Sequence, residues 1–336
     1  MGKLNRTVLL DNRPGIPEIA KLPDAENIDI QEIVNSFEQK EIDLICVLGP
    51  TASGKTKYAV RLAKEISNIR HKKEVNPISA EIISADSRQV YKGMNIGTGK
   101  DLEEYDNIPY HLIDIAKAGE KYSIYDYQRD FENSYKEIIN RGNIPILCGG
   151  SGLYIEAATC GYMLPSIPPD YDLRNSLQQK SPIELRNMLL KMRPNTSEGT
   201  LQSTRRVIRA LEVAIYEDNS DVSIERTYIL PKNTFYIGTL VSREERVRRI
   251  DERFDKRIDE GMIEEVRGLI RDGVPAENLI YYGLEYKYIT NYIMGVISYD
   301  EMKILLTNAI HQFAKRQMTW FRGMERDGLN IHWVKP

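Results

Sequence analysis

A glycine-rich octapeptide constrains this chain more than any other feature of its sequence. Its letters are GPTASGKT, residues 49–56, and they fit the pattern GxxxxGK[ST]. The octapeptide follows the apolar run LICVL and precedes KYAVRLAKEI, which has a helical pattern. A strand, a glycine-rich turn and a helix in this order place backbone N–H groups around a phosphate. The sequence therefore predicts a phosphate site where a strand gives way to a helix.

The residue types of this loop explain how it would hold phosphate. Lys55 supplies a positive charge, and the Thr56 hydroxyl can bind Mg²⁺. The loop does not identify the reaction, because the same cradle holds a nucleoside triphosphate or any other Mg²⁺-diphosphate. The sequence has no NKxD motif, which disfavours a GTPase, whereas a small-molecule kinase stays open. The predicted phosphate-binding residues are Gly49, Thr51, Ala52, Ser53, Gly54, Lys55 and Thr56.

Strand-like and helix-like patterns alternate from residue 42 onward. Such alternation predicts parallel strands joined by helical crossovers. We therefore expect an α/β fold, with a P-loop NTPase-like parallel sheet flanked by helices. The strand-like runs are IDLICVL, AEIISA, YHLIDI, IPILCGG and TFYIGTLV.

The same patterns divide the chain into three regions. Residues 1–41 are rich in proline and charge, which predicts a loosely attached extension with one short helix in IQEIVNSFEQK. Residues 42–164 and 234–325 form the predicted catalytic core. Residues 165–233 open with PSIPPD and continue with amphipathic patterns, so we expect a mainly helical insertion domain.

The composition argues against several classes of protein. The net charge is −3, so a nucleic-acid partner would have to be bound by local clusters of basic residues. The three cysteines and four histidines lack metal-ligand spacing, and we expect neither a structural metal nor a disulfide. No apolar run reaches the roughly 18 residues that a spanning helix needs, and the first residues lack a leader-like core. We expect a cytoplasmic monomer that does not bind membranes.

A polar segment follows the second predicted strand. Asp86 comes directly after AEIISA, at the edge where ligands bind in open α/β sheets. Its carboxylate can accept a proton or hold a metal-bound water, and a helix N-cap is the alternative. Arg88 and Gln89 follow with groups that could read a base edge. Ser151, after CGG, repeats this geometry at a later strand, where an N-cap is the favoured interpretation.

Three sets of basic residues could contact RNA. Arg205 and Arg209 share a helix face in STRRVIRALEV. The segment KRQMTWFR, residues 315–322, combines three cations with an aromatic pair, which suits phosphates and unstacked bases, although core packing of the aromatic pair is the alternative. A third set lies among acidic residues, which favours a solvated, salt-bridged helix; it consists of Arg246, Arg249, Arg253 and Arg257.

The motifs, taken in order, resemble those of the tRNA dimethylallyltransferases over about residues 44–323. The resemblance implies transfer of a dimethylallyl group from dimethylallyl diphosphate to N6 of adenosine 37, beside the tRNA anticodon, with release of diphosphate. The motifs that carry it are GPTASGKT, DSRQVYKGMNIGTGK, YHLID, GGSGLYIEA, RRVIRALEV, RRIDERF, GMIEEVRGLI and AKRQMTWFR.

The resemblance also assigns roles to residues that match these motifs. It implies that the octapeptide holds the donor's diphosphate with Mg²⁺, that Arg253 adds positive charge, and that Asp86 is the general base. Together with Lys55 and Thr56, these two residues form the implied catalytic set. The implied contacts of the tRNA anticodon stem-loop are Asp86, Ser87, Arg88, Gln89, Ser151, Arg174, Arg205, Arg206, Arg209, Tyr286 and Lys287.

Two other activities remain as alternatives. An adenylate dimethylallyltransferase would use the same chemistry on free AMP, ADP or ATP, but it needs neither the insertion nor KRQMTWFR. A small-molecule P-loop kinase would turn over ATP without RNA. The sequence departs from the family near its last helices, where Glu285, Tyr286, Lys287 and Tyr288 replace the usual glycine-tyrosine-lysine-glutamate.

Overall fold

A parallel β-sheet organises the larger of two compact units of the protein. This computed structural model describes residues 23–71, 79–161, 167, 169–219 and 230–336. The described strands are β1 (Leu44–Leu48), β2 (Ala80–Ser84), β3 (Tyr91–Lys92), β4 (Tyr110–His111), β5 (Ala116–Lys117), β6 (Ile144–Gly149), β7 (Thr234–Thr239) and β8 (Ile331–Val334).

The order of the strands determines which loops meet. The larger sheet runs β4-β2-β6-β1-β7-β8, with every neighbouring pair parallel, and β3 pairs with β5 separately. Strands β2, β6 and β1 are therefore adjacent, and their carboxyl ends lie at one edge. The loops that follow them carry the octapeptide, Asp86 and Ser151. The predicted α/β fold with a parallel sheet is confirmed.

Helices cover both faces of this sheet. All five residues of β1 are buried, as expected for a strand packed on two sides. One apolar layer includes Phe131 and Phe321, and the other includes Ile66 and Ile146. The helices of this unit are α1 (Ile30–Glu38), α2 (Lys55–Arg70), α3 (Ile124–Asn140), α4 (Gly152–Thr159), α9 (Arg243–Asp259), α10 (Met262–Arg271), α11 (Ala276–Tyr282), α12 (Leu284–Ile293) and α13 (Tyr299–Arg326), with a 3-10 turn at Leu102–Tyr105.

Two parts of the larger unit differ from the sequence-based expectations. Residues 23–41 do not form a loose extension, because Ile33 and Val34 of α1 are buried in the core and the Glu26 N–H donates to Trp333 O at 2.7 Å. Residues 1–22 lie outside the described part of the chain. Strand β8 was not expected, since a four-residue run after a long helix gives little pattern to read.

The smaller unit is helical in its described part, residues 169–219, as predicted for this region. Its core consists of leucine and valine side chains such as Leu185, Leu189 and Leu211. Ser181 and Glu184 form a capping box that begins the second of its helices. The four helices are α5 (Tyr171–Gln178), α6 (Pro182–Met192), α7 (Glu198–Leu201) and α8 (Thr204–Asn219).

No helix among the residues described is both long and apolar enough to cross a bilayer.

Candidate active site

The octapeptide is a tightly fixed loop between β1 and α2. Ala52 and Gly54 adopt left-handed backbone conformations, with φ of 60° and 80°. Ser53 is buried, and its hydroxyl lies 2.6 Å from that of Thr239 on β7. A Cβ on Gly49 would overlap the hydroxyl of Thr239. The neighbouring strand thus holds the loop in shape independently of a ligand, which lowers the entropic cost of binding one.

Lys55 and Thr56 begin α2 and line a cavity of about 560 Å³. Burial lowers the pKa of Lys55 below its usual value, while the charge of Asp86 opposes that shift. Among the described residues, no group of three or more His, Cys, Asp or Glu side chains could hold a metal. The Thr56 hydroxyl, which lines the cavity beside Lys55, fits as an oxygen ligand of a divalent ion that also binds the phosphate oxygens of a ligand.

Asp86 lies in a turn at the carboxyl end of β2. Its Oδ1 accepts the N–H of Arg88 at 2.9 Å, and its own N–H donates to Ser84 Oγ at 3.3 Å. No helix follows the strand here, so the N-cap interpretation of Asp86 is wrong. The carboxylate lines the same cavity as Lys55. The structure therefore brings a potential proton acceptor and the phosphate loop together.

Ser151 joins the turn after β6 to the segment that carries Asp86. Its Oγ accepts the N–H of Ser87 at 3.1 Å, and its own N–H donates to Ala85 O at 3.2 Å. Although Ser151 precedes α4, its side chain makes no capping hydrogen bond. Ser151 is thus the N-cap residue of α4 by position, as expected, but its hydroxyl does not cap the helix and instead holds two loops of the site together.

Gln317 of α13 joins that turn to the phosphate loop. Its Oε1 accepts the N–H of Thr51 at 2.8 Å, and its Nε2 donates to Gly150 O at 2.8 Å. The side chain is buried, and a Cβ on Gly150 would collide with it. The segment KRQMTWFR therefore contributes a structural contact to the site that sequence reasoning missed.

Arg88 and Gln89 line the cavity, but protein groups already engage the amide of Gln89. That amide accepts from the Ser84 hydroxyl at 3.2 Å and donates to Gly99 O at 3.1 Å. The guanidinium of Arg88 lies 5.8 Å from the ring centroid of Tyr282. A base contact by Gln89 would have to compete with these two hydrogen bonds.

Tyr286 holds a loop of the cavity wall through Glu265. The tyrosine is 1% exposed, and its hydroxyl donates to Glu265 Oε1 at 2.7 Å. The same carboxylate accepts the N–H groups of Asn95, Ile96 and Gly97. Tyr286 has a structural role here, and its tRNA contact stays a prediction, as does that of Lys287.

The predicted set of α9 arginines does not form one solvated stripe, since Arg246 is buried. Arg249 pairs with Glu245 at 2.7 Å on the exposed side, as a solvated helix predicts. Arg253 and Arg257 instead line the cavity, and Gly99 lies against both guanidinium groups. Sequence reasoning assigned Arg257 no role in the site, because its spacing along the helix matches that of the exposed arginines.

The aromatic pair of KRQMTWFR packs inside the protein. Phe321 is fully buried, and Trp320 Nε1 donates to Glu156 Oε1 at 3.0 Å. Core packing, the alternative to base stacking, is therefore correct for Phe321. Arg316 and Gln317 of the same segment line the cavity.

Two of the predicted RNA-contacting arginines of the smaller unit share one carboxylate. Arg174 donates to Glu212 through two nitrogens, at 2.9 and 2.7 Å, and Arg209 donates to the same carboxylate. The hydrogen bonds to Arg174 and Arg209 outweigh the burial of Glu212 and lower its pKa. The side chain of Arg205 is exposed on α8. Contact with RNA by these residues stays a prediction.

Most predicted residues of the larger unit lie together at the cavity. The exceptions are Ser53, which is buried beneath the phosphate loop, and Gly49, whose backbone supports it. Sequence reasoning missed Glu285 and Gln317, which come from distant parts of the chain. The predicted residues that line the cavity are Thr51, Ala52, Gly54, Lys55, Thr56, Asp86, Ser87, Arg88, Gln89, Ser151, Arg253, Tyr286 and Lys287.

A phosphate loop and a carboxylate that share one cavity, at the edge of a parallel sheet, define a P-loop enzyme of the group-transfer type. A family model described as IPP transferase matches residues 89–324. The chain belongs to the tRNA dimethylallyltransferase family. It is 51% identical over 295 residues to tRNA dimethylallyltransferase 2 of Porphyromonas gingivalis, covering 87% of this chain and 93% of that protein. It is 48% identical over 298 residues to tRNA dimethylallyltransferase 2 of Bacteroides fragilis, covering 88% and 93%.

A solved structure agrees with this assignment. The full-length tRNA isopentenylpyrophosphate transferase of Bacillus halodurans superposes with a TM-score of 0.61 at 34% identity, over 87% of this chain and 89% of that one. A eukaryotic dimethylallyltransferase acting on tRNA shares the fold, with a TM-score of 0.68 at 22% identity.

Proposed function

We propose that this protein transfers a dimethylallyl group from dimethylallyl diphosphate to N6 of adenosine 37 in tRNA and releases diphosphate. The observation that carries the proposal is the shared cavity, in which the phosphate loop and Asp86 face one space. A phosphate loop alone would also suit a kinase. The carboxylate after β2 and the family membership together favour alkyl transfer to a nucleobase.

Asp86 acts on the acceptor in this proposal. An exocyclic adenine amine is a weak nucleophile, because its lone pair is delocalised into the ring. Asp86 accepts the N6 proton as the bond from N6 to the allylic carbon forms, which keeps positive charge from building up on nitrogen. The hydrogen bond from the Arg88 N–H fixes Oδ1, so the carboxylate has a defined orientation.

The phosphate loop acts on the donor. The bond between the allylic carbon and the diphosphate oxygen breaks, and its electron pair leaves with the diphosphate. Lys55 and the backbone N–H groups at the start of α2 stabilise that charge. When bound, Mg²⁺ held by Thr56 and the phosphates would neutralise part of it. Arg253 adds a further positive charge at the cavity wall.

The tRNA is the partner in this proposal, and the helical insertion carries part of its surface. Arg205 and Arg206 lie at the beginning of α8 with exposed side chains. Cations placed in this way bind phosphate oxygens of a stem-loop. The target adenine has to leave the stacked loop before it can reach Asp86.

Radiolabel transfer tests the proposal directly. The intact protein receives labelled dimethylallyl diphosphate and Mg²⁺, with an anticodon stem-loop containing A36 and A37 in one reaction and free AMP in another. We expect label in the RNA alone, and a stem-loop with G37 serves as the control. Label in AMP alone would indicate an adenylate prenyltransferase, and label in neither acceptor would contradict prenyl transfer.

A further inference from the structure

A second arginine lies beside Arg253 in the cavity wall and has no assigned function. Arg257 follows Arg253 by four residues on α9, so both side chains lie on one helix face. The Arg257 side chain is only 9% exposed. A Cβ on Gly99 would overlap both guanidinium groups, which shows how closely they pack against that backbone. Both arginines line the cavity that contains the phosphate loop.

The hydrogen bonding of this pair is incomplete. Among the described residues, Arg257 Nη2 and Arg253 Nε are buried and have no hydrogen-bond acceptor. Oδ2 of Asp101 lies 3.6 Å from Arg257 Nη2, which is too long for a hydrogen bond. Leaving a buried donor without an acceptor destabilises a protein, and more so when the donor is charged. In a cavity wall, such a donor is a position where a ligand can provide the acceptor.

The charges around the pair favour an anion. Burial, and after it the neighbouring charge of Arg253, lower the pKa of Arg257 to about 10, whereas Glu285 and Asp101 oppose the shift. Lys55 lines the same cavity as the two arginines. Three cations therefore repel one another across one cavity. A multiply charged anion bound among them would turn this repulsion into attraction.

We propose that Arg257 is a second arginine that binds the diphosphate of the prenyl donor and of the released product. This inference rests on the proposed function. A planar guanidinium can donate two parallel hydrogen bonds to phosphate oxygens. As the carbon–oxygen bond breaks and its electron pair moves onto the diphosphate, Arg257 and Arg253 meet the growing charge with donors that are already in place.

Binding of inorganic pyrophosphate to the full chain tests the inference. Isothermal titration calorimetry in the presence of Mg²⁺ would compare the wild type with Arg257→Met and Arg257→Lys. We expect Arg257→Met to weaken pyrophosphate binding by at least about tenfold, the loss of one charge-assisted hydrogen bond or more. Arg257→Lys keeps the charge without the fork and should fall between the two. Arg249→Met, on the exposed side of α9, is the matched control and should bind like the wild type.

Thermal unfolding separates this function from a structural one. Without a ligand, Arg257→Met removes a buried charge with an unmet hydrogen bond, so its Tm should equal or exceed that of the wild type. Pyrophosphate should then raise the Tm of the wild type more than that of the variant. Wild-type pyrophosphate affinity in Arg257→Met or Arg257→Lys would overturn the inference. A wild type that binds pyrophosphate but labels no RNA would instead contradict the proposed function, and Arg257 would then bind the diphosphate of a different donor.

Discussion

Asp86 illustrates how much chemistry depends on one residue at the end of a strand. Its carboxylate is oriented by the Arg88 N–H and faces the cavity that also contains Lys55. We expect Asp86→Asn to lower kcat for prenyl transfer by about 10²–10⁴-fold, because an amide cannot accept the N6 proton. Filter binding should show nearly unchanged affinity for the RNA. Unchanged turnover would remove Asp86 from the mechanism.

A matched control keeps that result interpretable. Asp106 is exposed and forms an ion pair with Lys64 at 2.7 Å, away from the cavity. Asp106→Asn removes the same charge and should leave kcat unaltered. Any common loss in both variants would indicate a general effect of the lost charge.

Sequence reasoning found those site residues that adjacent motifs in the sequence identify. Lys55 lies in the glycine-rich octapeptide after LICVL, and Asp86 follows AEIISA directly, so their places at the sheet edge were predictable. Arg257 and Gln317 gave no such signal, because their partners Gly99 and Thr51 are more than 150 residues away in the chain. Phe321 was ambiguous for a related reason, since an aromatic residue next to cations suits RNA as well as a core.

At the scale of elements, α13 holds the two glycine-rich turns of the site in register. Gln317 bonds to Thr51 in one turn and to Gly150 in the other. Gln317→Met keeps the size of the side chain but leaves a backbone donor and a backbone acceptor without their partner. We expect kcat/KM for the donor to fall by about tenfold or more. Steady-state kinetics with varied dimethylallyl diphosphate measures this.

The neighbouring residue on α13 gives the control for that substitution. Met318 is buried in the core against the same sheet, and Met318→Leu conserves its volume. It should leave kcat/KM near the wild-type value, with only a small change in Tm. Equal kinetics in Gln317→Met and the wild type would show that the two turns keep their positions without the glutamine.

At the scale of elements, sequence periodicity predicted most strands but neither strand β8 nor the packing of α1 on the core. Strands β1, β2, β6 and β7 were predicted because each is a continuous apolar run between turns. Strand β8 has four residues, and its pairing with β7 depends on a tertiary contact. Helix α1 was expected, but its packing on the core was not, because a short amphipathic pattern does not identify its partner.

At the scale of the whole molecule, the two compact units divide the work in the proposed function. Arg205 lies on the smaller unit, whereas the diphosphate site lies in the larger one. We expect Arg205→Ala to weaken tRNA binding and to reduce the salt dependence of log Kd by about one unit of slope. Pyrophosphate affinity should not change. Arg186→Ala, at an exposed position of α6 in the same unit, is the control, and equal tRNA affinity in Arg205→Ala and the wild type would contradict the contact.

Glu81 forms a network of hydrogen bonds at the end of β2 opposite to Asp86. Glu81, near the amino end of β2, is buried and accepts hydrogen bonds from Arg141 at 2.9 and 2.8 Å and from Asn143 at 2.7 Å. Nε2 of His111 on β4 lies 2.7 Å from the same carboxylate. These contacts join the neighbouring strands through one charge.

The pKa of Glu81 makes the contribution of these contacts to the free energy of unfolding depend on pH. Burial alone would raise that pKa, but the hydrogen bonds from Arg141, Asn143 and His111 outweigh burial and hold it at about 2. A pKa lowered on folding stabilises the native state above the ordinary value of 4.5, and that stabilisation is lost as the pH falls from 4.5 towards 2. We expect this stabilisation to be about 2 kcal/mol at neutral pH. It is smaller than the pKa shift alone would give, because solvent around the partly exposed Arg141 screens the ion pair.

Urea unfolding of the wild type and of Glu81→Gln between pH 7 and pH 3 measures the stabilisation that the charge of Glu81 provides. The difference in the free energy of unfolding should be largest at pH 7 and shrink as the pH falls below about 4.5, because protonation of the wild-type carboxyl makes it resemble the amide. Glu137→Gln is the control, since Glu137 is 65% exposed and lies 3.9 Å from Arg141. A difference that stays constant down to pH 3 would mean that hydrogen bonding or packing, and not the charge of Glu81, joins these strands.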